Sequence, residues 1–170
     1  PYYPPSSLTY GIFVNGQAQR FINEDCYHSR IAARALDQLG GKIYLVVSAD
    51  DYEHPPFMNA PIVGTGETVE EMAEEIGLNS AMLRHTIDFY SEHAARGEDP
   101  LFHKHPNWIR PLDKPPYKVL DISLDKCAFP TFTLGGLWTK STGEVMDIEG
   151  NVIPGLYAAG RTSSGFPAAG

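Results

Sequence analysis

The stretch Ile153 to Thr162 contains the residue types in this sequence that best suit the binding of a small molecule. The apolar run Leu156 to Ala159 leads into Gly160, and a loop rich in glycine and serine follows as far as Gly170. A strand that ends in small residues lets a ligand approach the backbone closely, because no bulky side chain is in the way. We therefore predict a buried strand here that leads into a ligand-binding turn.

The elements upstream of this turn are predicted to be a hairpin, a helix and a buried strand, over residues 11–23, 31–39 and 43–47. Asn15-Gly16 predicts the hairpin turn, because both residues tolerate positive φ angles. Apolar residues at helical spacing, from Ile31 to Leu39, predict one buried helix face, and Gly40-Gly41 predicts its end. The continuous apolar run from Ile43 to Val47 is typical of a buried strand.

A pair of helices is predicted next, after a long loop over residues 50–67. Thr68, followed three residues later by Glu71, forms a capping-box pattern that predicts a helix start. Gly77 ends this helix, and the second helix runs from Asn79 or Ser80 to Gly97.

The remaining sequence predicts an irregular segment over residues 101–116 and then short strands, over residues 117–122, 132–138, 143–146 and 156–159. A boundary near residues 125–132 separates a module of mixed helices and strands from a β-rich segment. The fold class is therefore predicted to be α+β.

Composition limits the classes of function. The net charge of −8 argues against nucleic acid and anionic membrane as partners, because both require clustered Lys and Arg. No membrane anchor or signal peptide is visible. Cys26 and Cys127 have no CxxC spacing and suggest no disulfide framework, so a reducing, cytoplasmic setting is the default expectation.

Three passages together resemble the family of FAD-dependent oxidoreductases that includes fumarate reductase, the succinate dehydrogenase flavoprotein and the bacterial 3-oxosteroid dehydrogenases. The first is Gly11–Asn15 with Arg20–Glu24, which is similar to the family's G-x-x-V-N…R-F-x-N-E. The second is Thr133–Gly136, which is similar to the family's double glycine. The third is Ile153–Gly160, which is similar to I-P-G-L-Y-A-A-G. Their order and separations match the family, and Arg96–Phe102 resembles part of its capping domain. The resemblance is closest to the 3-oxosteroid (3-ketosteroid) dehydrogenase branch.

The resemblance implies a domain organisation. Residues 1–10 would be a leading segment from the FAD domain, residues 11–128 the cap (substrate) domain with a small sheet and a helical hairpin, and residues 129–170 a partial return into a Rossmann-like FAD domain. The family's G-x-G-x-x-G unit is not in this sequence. We therefore expect a piece of a longer enzyme, whose remaining FAD domain is its partner, and no FAD on the isolated piece. The first residue, Pro1, is consistent with this expectation.

The resemblance also implies site residues. Tyr27 would be the catalytic acid that polarises a ketone or relays its proton; the alternative is a packing aromatic residue at a helix start. The residues expected against FAD are Gly135, Gly136, Leu137, Ala159, Gly160 and Arg161. A β-bulge or tight turn is the alternative role of the two adjacent glycines. Arg161 stands where many relatives have an acid, and its guanidinium only donates, so it either reaches the pyrophosphate or leaves the contact to the backbone.

The expected substrate is a small apolar ketone of steroid-like character. Where dicarboxylate reductases carry a histidine, this sequence has Thr131-Phe132-Thr133, and an apolar residue does not offset the desolvation of a carboxylate. Two alternatives stay open: a small-acid reductase of the same family, which Arg30 or Arg110 facing the cleft would support, and an isolated module without activity. The scattered histidines show no metal-site spacing, so no metal is expected.

Overall fold

The computed structural model describes residues 6–54, 60–129 and 135–164. The chain divides into two compact units, residues 1–129 and residues 130–170. Both helices and strands are present, as the sequence predicted. The predicted strand over residues 132–138 lies partly outside the described residues. Thr131-Phe132-Thr133, which stand where dicarboxylate reductases carry a histidine, lie wholly outside them.

The first unit is built around a four-stranded antiparallel sheet. Its strands are β1 (Ile12–Asn15), β2 (Ile43–Ser48), β3 (Ile62–Gly66) and β4 (Tyr117–Asp121), in the spatial order β1-β2-β4-β3. The register places Val46 of β2 opposite Ile12 of β1 and Val119 of β4. The two central strands are almost wholly buried because both faces of the sheet are covered.

Three helices cover the two faces of this sheet: α1 (His28–Leu36), α2 (Val69–Ile76) and α3 (Ser80–Ala94). Ile12, Val46 and Val119 pack with the buried residues of α2 and α3. The alternate residues of the strands, such as Phe13 and Leu45, pack with α1. The period-2 alternation of side chains along a strand therefore gives the sheet two separate hydrophobic cores.

The helical pair α2–α3 forms as predicted, because local capping interactions define its ends. The Thr68 hydroxyl accepts a hydrogen bond from the Glu71 amide, and the Glu71 carboxylate accepts one from the Thr68 amide. Gly77 ends α2 with a φ of 69° in the left-handed region. The Asn79 side chain caps α3 by accepting a hydrogen bond from the Met82 amide.

Several predicted elements differ from the structure. The segment predicted as one long loop contains β3, which pairs with β4. The return arm of the predicted hairpin is not a strand and pairs with β1 through a single bridge, between Val14 and Arg20. The residue of the turn with a positive φ angle is Ala18. The helix begins at His28, and the predicted buried residue Leu36 is 74% exposed.

The second unit contains a two-stranded antiparallel sheet, β5 (Glu144–Met146) and β6 (Val152–Tyr157), followed by a 3-10 turn at Gly160–Thr162. The prediction of a buried strand at Leu156–Ala159 is wrong in two respects. The strand starts earlier, and it is exposed, with Tyr157 65% accessible. A two-stranded sheet has no second layer of its own to cover it.

None of the helices within the described ranges has the length and apolar character required to cross a lipid bilayer.

Candidate functional site

Tyr27 lies at the N-cap of α1, on the face of the sheet that carries Phe13 and Leu45. Its carbonyl accepts hydrogen bonds from the Arg30 and Ile31 amides, at 2.8 and 3.3 Å, so α1 fixes its backbone. Its side chain is 48% exposed and does not cap the helix. Tyr27 therefore lies at the start of α1 with much of its surface exposed.

The neighbouring thiol is not activated. Burial raises the pKa of Cys26 to about 11, with the negative charges of Asp25 and Glu24 adding to the effect. A thiol with this pKa is protonated at neutral pH and is a poor nucleophile. The Cys26 thiol is therefore a poor candidate for chemistry at this surface.

Four charged side chains lie buried in and next to the segment that precedes Tyr27. They are Arg20, Glu24, Asp99 and Lys104, and we call them the buried ion cluster. The Arg20 guanidinium donates to both carboxylates, at 2.9 Å to Glu24 and 2.9 and 3.0 Å to Asp99. The Lys104 ammonium lies 3.1 Å from the Glu24 carboxylate. All four side chains are at most 3% exposed.

Each carboxylate of the cluster also accepts a backbone hydrogen bond. Glu24 accepts from the Phe13 amide of β1 at 2.9 Å, and Asp99 accepts from the Lys104 amide at 3.2 Å. The Lys104 ammonium donates to the Gly11 carbonyl at 2.6 Å. Ion pairs with such additional hydrogen bonds can offset the desolvation cost of burial.

The pKa shifts follow from burial and mutual charge. Burial tends to lower the pKa of Arg20, but the charge of Glu24 and the hydrogen bonds to both carboxylates raise it overall. Burial tends to raise the pKa of Asp99, and the hydrogen bonds and charge of Arg20 outweigh it and lower the value. Burial lowers the pKa of Lys104, although Glu24 opposes the shift. The carboxylate Asp99 and the guanidinium of Arg20 are thus held ionised at neutral pH.

A partly open, mostly apolar cavity of about 310 Å³ lies beside the cluster, lined by Arg20 and by side chains of α3 and the segment after it, among them His85, Phe89, Tyr90 and Phe102. The helix α3 covers one face of the sheet and α1 covers the other. Tyr27, at the start of α1, is not among the residues that line this cavity.

In the second unit, the structure brings together two of the predicted cofactor-binding passages. The Leu137 amide donates to the Thr162 carbonyl at 2.8 Å, and the Leu137 carbonyl accepts from the Ser164 amide at 2.9 Å. The two segments therefore run side by side as a parallel bridge between Leu137 and Ser163. Backbone hydrogen bonds to Leu137, directly after the double glycine, hold the turn that follows β6.

The two adjacent glycines have different environments. A Cβ on Gly136 would lie 2.6 Å from the Thr162 carbonyl oxygen and the Ser163 carbonyl carbon, whereas a Cβ on Gly135 would meet nothing within 4 Å. Gly136 is therefore required by the close approach of the chain's own backbone. Gly135, which faces open space, is the one of the pair that leaves room for a ligand.

The other predicted residues of this passage surround the same turn. Gly160 has a φ of 62°, in the left-handed region that favours glycine, and its carbonyl accepts hydrogen bonds from the Ser163 amide and hydroxyl. Ala159 is the N-cap of the turn, and Arg161 is exposed within it. Leu137 is 44% exposed beside them. The surface at this turn therefore consists of backbone and small or apolar side chains together with Arg161.

Replacing Gly136 with alanine is expected to destabilise the second unit by about 1–3 kcal/mol, because the added methyl group overlaps backbone atoms that have nowhere to move. Limited proteolysis of residues 135–164, together with urea titration, measures the change. Gly135→Ala is the matched control and should leave both measurements close to those of the unaltered chain. Equal sensitivity of the two variants would contradict this assignment.

The predicted site residues are divided between the two units, with Tyr27 in the first and the expected FAD contacts in the second. Sequence analysis missed the buried ion cluster, although it used Arg20 and Glu24 as part of a family motif. Their spacing of four residues was a local signal of an ion pair. The partners Asp99 and Lys104 follow far along the chain and gave no such signal.

The described histidines, cysteines and acids include no group of three placed to hold a metal ion. Two of the histidines, His105 and His93, occupy local structural positions. The His105 side chain accepts a hydrogen bond from the Asn107 amide and caps a short 3-10 helix, and His93 contacts the carbonyl of Phe89 at 2.8 Å.

Comparison with known proteins gives a family match over residues 9–169, to the family described as FAD binding domain. A solved structure, 3-ketosteroid-delta4-(5alpha)-dehydrogenase from Rhodococcus jostii RHA1 in complex with 4-androstene-3,17-dione, is 37% identical with a TM-score of 0.73. The match covers 94% of this chain and 34% of that one.

Two curated relatives match most of the sequence. NADH:acrylate oxidoreductase of Vibrio harveyi is 30% identical over 97% of this chain and 16% of its own length. The 3-oxo-5-alpha-steroid 4-dehydrogenase of Comamonas testosteroni is 29% identical over 92% of this chain and 33% of its own length. Fumarate reductases also match. The chain therefore spans a third or less of the length of these two curated relatives, and the resemblance stated from the sequence is confirmed.

Proposed function

Because the chain belongs to the FAD binding domain family, we propose that it is part of an FAD-dependent oxidoreductase that acts on a C–C bond next to a ketone in a steroid-like, apolar substrate. The observation that carries the proposal is the 37% identity, over 94% of the chain, to a 3-ketosteroid dehydrogenase solved with 4-androstene-3,17-dione. Identity at this level over nearly the whole chain supports a shared type of chemistry.

We place the chain within the enzyme as the resemblance implies. Residues 11–128 are the cap domain, which holds the substrate, and residues 129–170 return into the FAD domain after a leading segment over residues 1–10. The exposed large apolar side chains of the second unit support a partner surface in the rest of that domain. They are Leu137, Trp138, Ile148, Ile153, Leu156 and Tyr157. The isolated chain is accordingly proposed to hold no FAD.

The residues of the second unit suit a flavin. Gly135 leaves open space above the backbone, and Gly160 holds the turn in a conformation that favours glycine. Leu137 offers apolar surface to a flat ring. When bound, FAD would exchange a hydride with the substrate carbon. The chain's own contribution is to hold the ring through Gly135, Leu137, Ala159, Gly160 and the backbone beside Arg161, with Gly136 fixing the turn.

Tyr27 supplies the proton chemistry in this proposal. Its hydroxyl is a donor that can hydrogen-bond the ketone oxygen and draw electron density towards it, which acidifies the neighbouring C–H bond. Alternatively, it donates its proton to the carbon opposite the hydride in the reductive direction or, as the phenolate, accepts the proton from that carbon in the oxidative direction. Its accessibility at the start of α1 supports either role.

A small-acid reductase is the second candidate, favoured by the identity of 30% to NADH:acrylate oxidoreductase. It would use an arginine to bind the carboxylate. Arg110 is already paired with Asp51 at 2.7 Å and stacked on Tyr10 at 4.0 Å, which opposes such a role. Arg30 is exposed in the first turn of α1 and is the better candidate of the two.

A substrate comparison tests the proposal. The flavoprotein that contains this chain is assayed with 4-androstene-3,17-dione and its saturated 3-oxo counterpart, and with acrylate and fumarate, using an artificial electron carrier. We expect kcat/KM for a steroid to exceed that for either acid by about two orders of magnitude, because a pocket built for one chemistry rejects the other. Faster turnover of acrylate or fumarate would overturn the ketone assignment in favour of the second candidate.

A further inference from the structure

We propose that Lys104 and Asp25 are positioning residues for Tyr27, and that the segment 99–105 is the support on which the catalytic tyrosine is held. This inference rests on the catalytic role proposed for Tyr27. It adds two residues that set where the Tyr27 hydroxyl lies. Lys104 is far from Tyr27 in sequence, and Asp25 is close to it but takes no part in the chemistry.

The first connection runs through the buried ion cluster. Lys104 lies 3.1 Å from the Glu24 carboxylate and also donates to the Gly11 carbonyl. Glu24 in turn accepts from the Phe13 amide of β1. The side chain of Glu24, three residues before Tyr27, is thereby bound to the central sheet and to segment 99–105 together. Both Lys104 and Glu24 have side chains with no exposed surface, so neither can reorient without unpacking the unit.

The second connection is made one residue later. The Asp25 carboxylate accepts a hydrogen bond from the His105 amide at 2.8 Å and another from the Asn23 side chain at 2.8 Å. Lys104 and His105 are adjacent, as are Glu24 and Asp25. The consecutive residues Glu24 and Asp25 are therefore bound by the consecutive residues Lys104 and His105.

Tyr27 is consequently held from both sides. Its C-terminal side enters α1, whose Ile31 and Ala35 are buried in the core. Its N-terminal side follows the turn over residues 23–26, in which the Cys26 amide donates to the Asn23 carbonyl. A general acid contributes fully only when its hydroxyl is held within a fraction of an ångström of its productive position, at hydrogen-bond distance from the reacting group. Loosening the turn would displace the hydroxyl without altering the residue.

The test is a double-mutant cycle in the flavoprotein that contains this chain. We expect Lys104→Met to lower kcat by about tenfold on the steroid substrate, with KM and flavin content little changed. In a Tyr27→Phe background, the same change should lower kcat by less than about twofold, because two residues that act through one group are not additive. Lys126→Met, at an exposed lysine paired with Asp125, is the matched control and should leave kcat unchanged.

Asp25→Ala provides a second variant at a half-buried position, should Lys104→Met fail to fold, and it should show the same non-additive loss of kcat. Equal losses in both backgrounds, or full kcat in folded Lys104→Met or Asp25→Ala, would overturn the positioning role alone. Full turnover by Tyr27→Phe would overturn the catalytic role of Tyr27 itself, and the positioning role with it.

Discussion

Replacing Tyr27 with phenylalanine is expected to lower kcat on a 3-oxosteroid by about two orders of magnitude, the low end of what a positioned acid or base contributes. The change removes one hydroxyl and keeps the ring, so α1 and the core beneath it should be unaffected. Flavin content should also be unchanged, because the expected FAD contacts lie in the other unit. Steady-state kinetics and the flavin-to-protein absorbance ratio measure the two quantities on the same preparation.

Tyr44→Phe is the matched control for this experiment. Tyr44 lies on β2, half-buried against the core formed with α2 and α3, and burial raises the pKa of its hydroxyl. Removing that hydroxyl should change kcat by less than about twofold. If Tyr27→Phe retained normal turnover, or if Tyr44→Phe lost as much, Tyr27 would not be the acid.

Replacing Arg20 with methionine is expected to reduce the free energy of unfolding of the first unit by about 3–5 kcal/mol, which is the usual cost of removing one partner from a buried ion pair. The reason is that the two buried carboxylates would remain without their guanidinium partner. Asp99 would lose both of its hydrogen bonds to the guanidinium, and Glu24 would keep only Lys104 as a charged partner. Urea-induced unfolding, followed by circular dichroism, measures the change.

Arg84→Met makes the same substitution at an exposed position. Arg84 pairs with Glu70 across the two helices α2 and α3, but both side chains are open to solvent, and exposed pairs contribute little to stability. Its unfolding midpoint should lie close to that of the unaltered chain. Comparable losses in the two variants would show that burial of the cluster is not what makes Arg20 important.

The elements that sequence analysis predicted well are those whose causes are local. Both ends of α2 and the start of α3 were predicted because Thr68, Glu71, Gly77 and Asn79 cap helices through neighbours within four residues. The central strand β2 was predicted because Ile43 to Val47 form the continuous apolar run that is typical of a buried strand. The strand β3, with two glycines in five residues, lacks that pattern and forms by pairing with β4.

The candidate site residues were proposed from the family passages, but the contacts around them could not be predicted from the sequence. The family passages pointed to Tyr27 and the double glycine, but they assigned the same role to both glycines. In the structure the two differ, because Gly136 lies against the backbone of residues 162–163 and Gly135 faces open space. The pairing of Arg20 with Asp99 joins residues 79 positions apart. No local pattern encodes such a contact, because it depends on the sheet and α3 already being in place.

Anaerobic spectroscopy of the flavin tests the central claim, oxidoreduction of a C–C bond next to a ketone, most directly. The oxidised flavoprotein that contains this chain is mixed with a saturated 3-oxosteroid, and the chemically reduced flavoprotein is mixed with 4-androstene-3,17-dione, acrylate or fumarate. We predict that the steroid of matching oxidation state bleaches or restores the visible flavin absorbance within one turnover, and that Tyr27→Phe slows this step. An absorbance that responds to acrylate or fumarate and to neither steroid would contradict the claim.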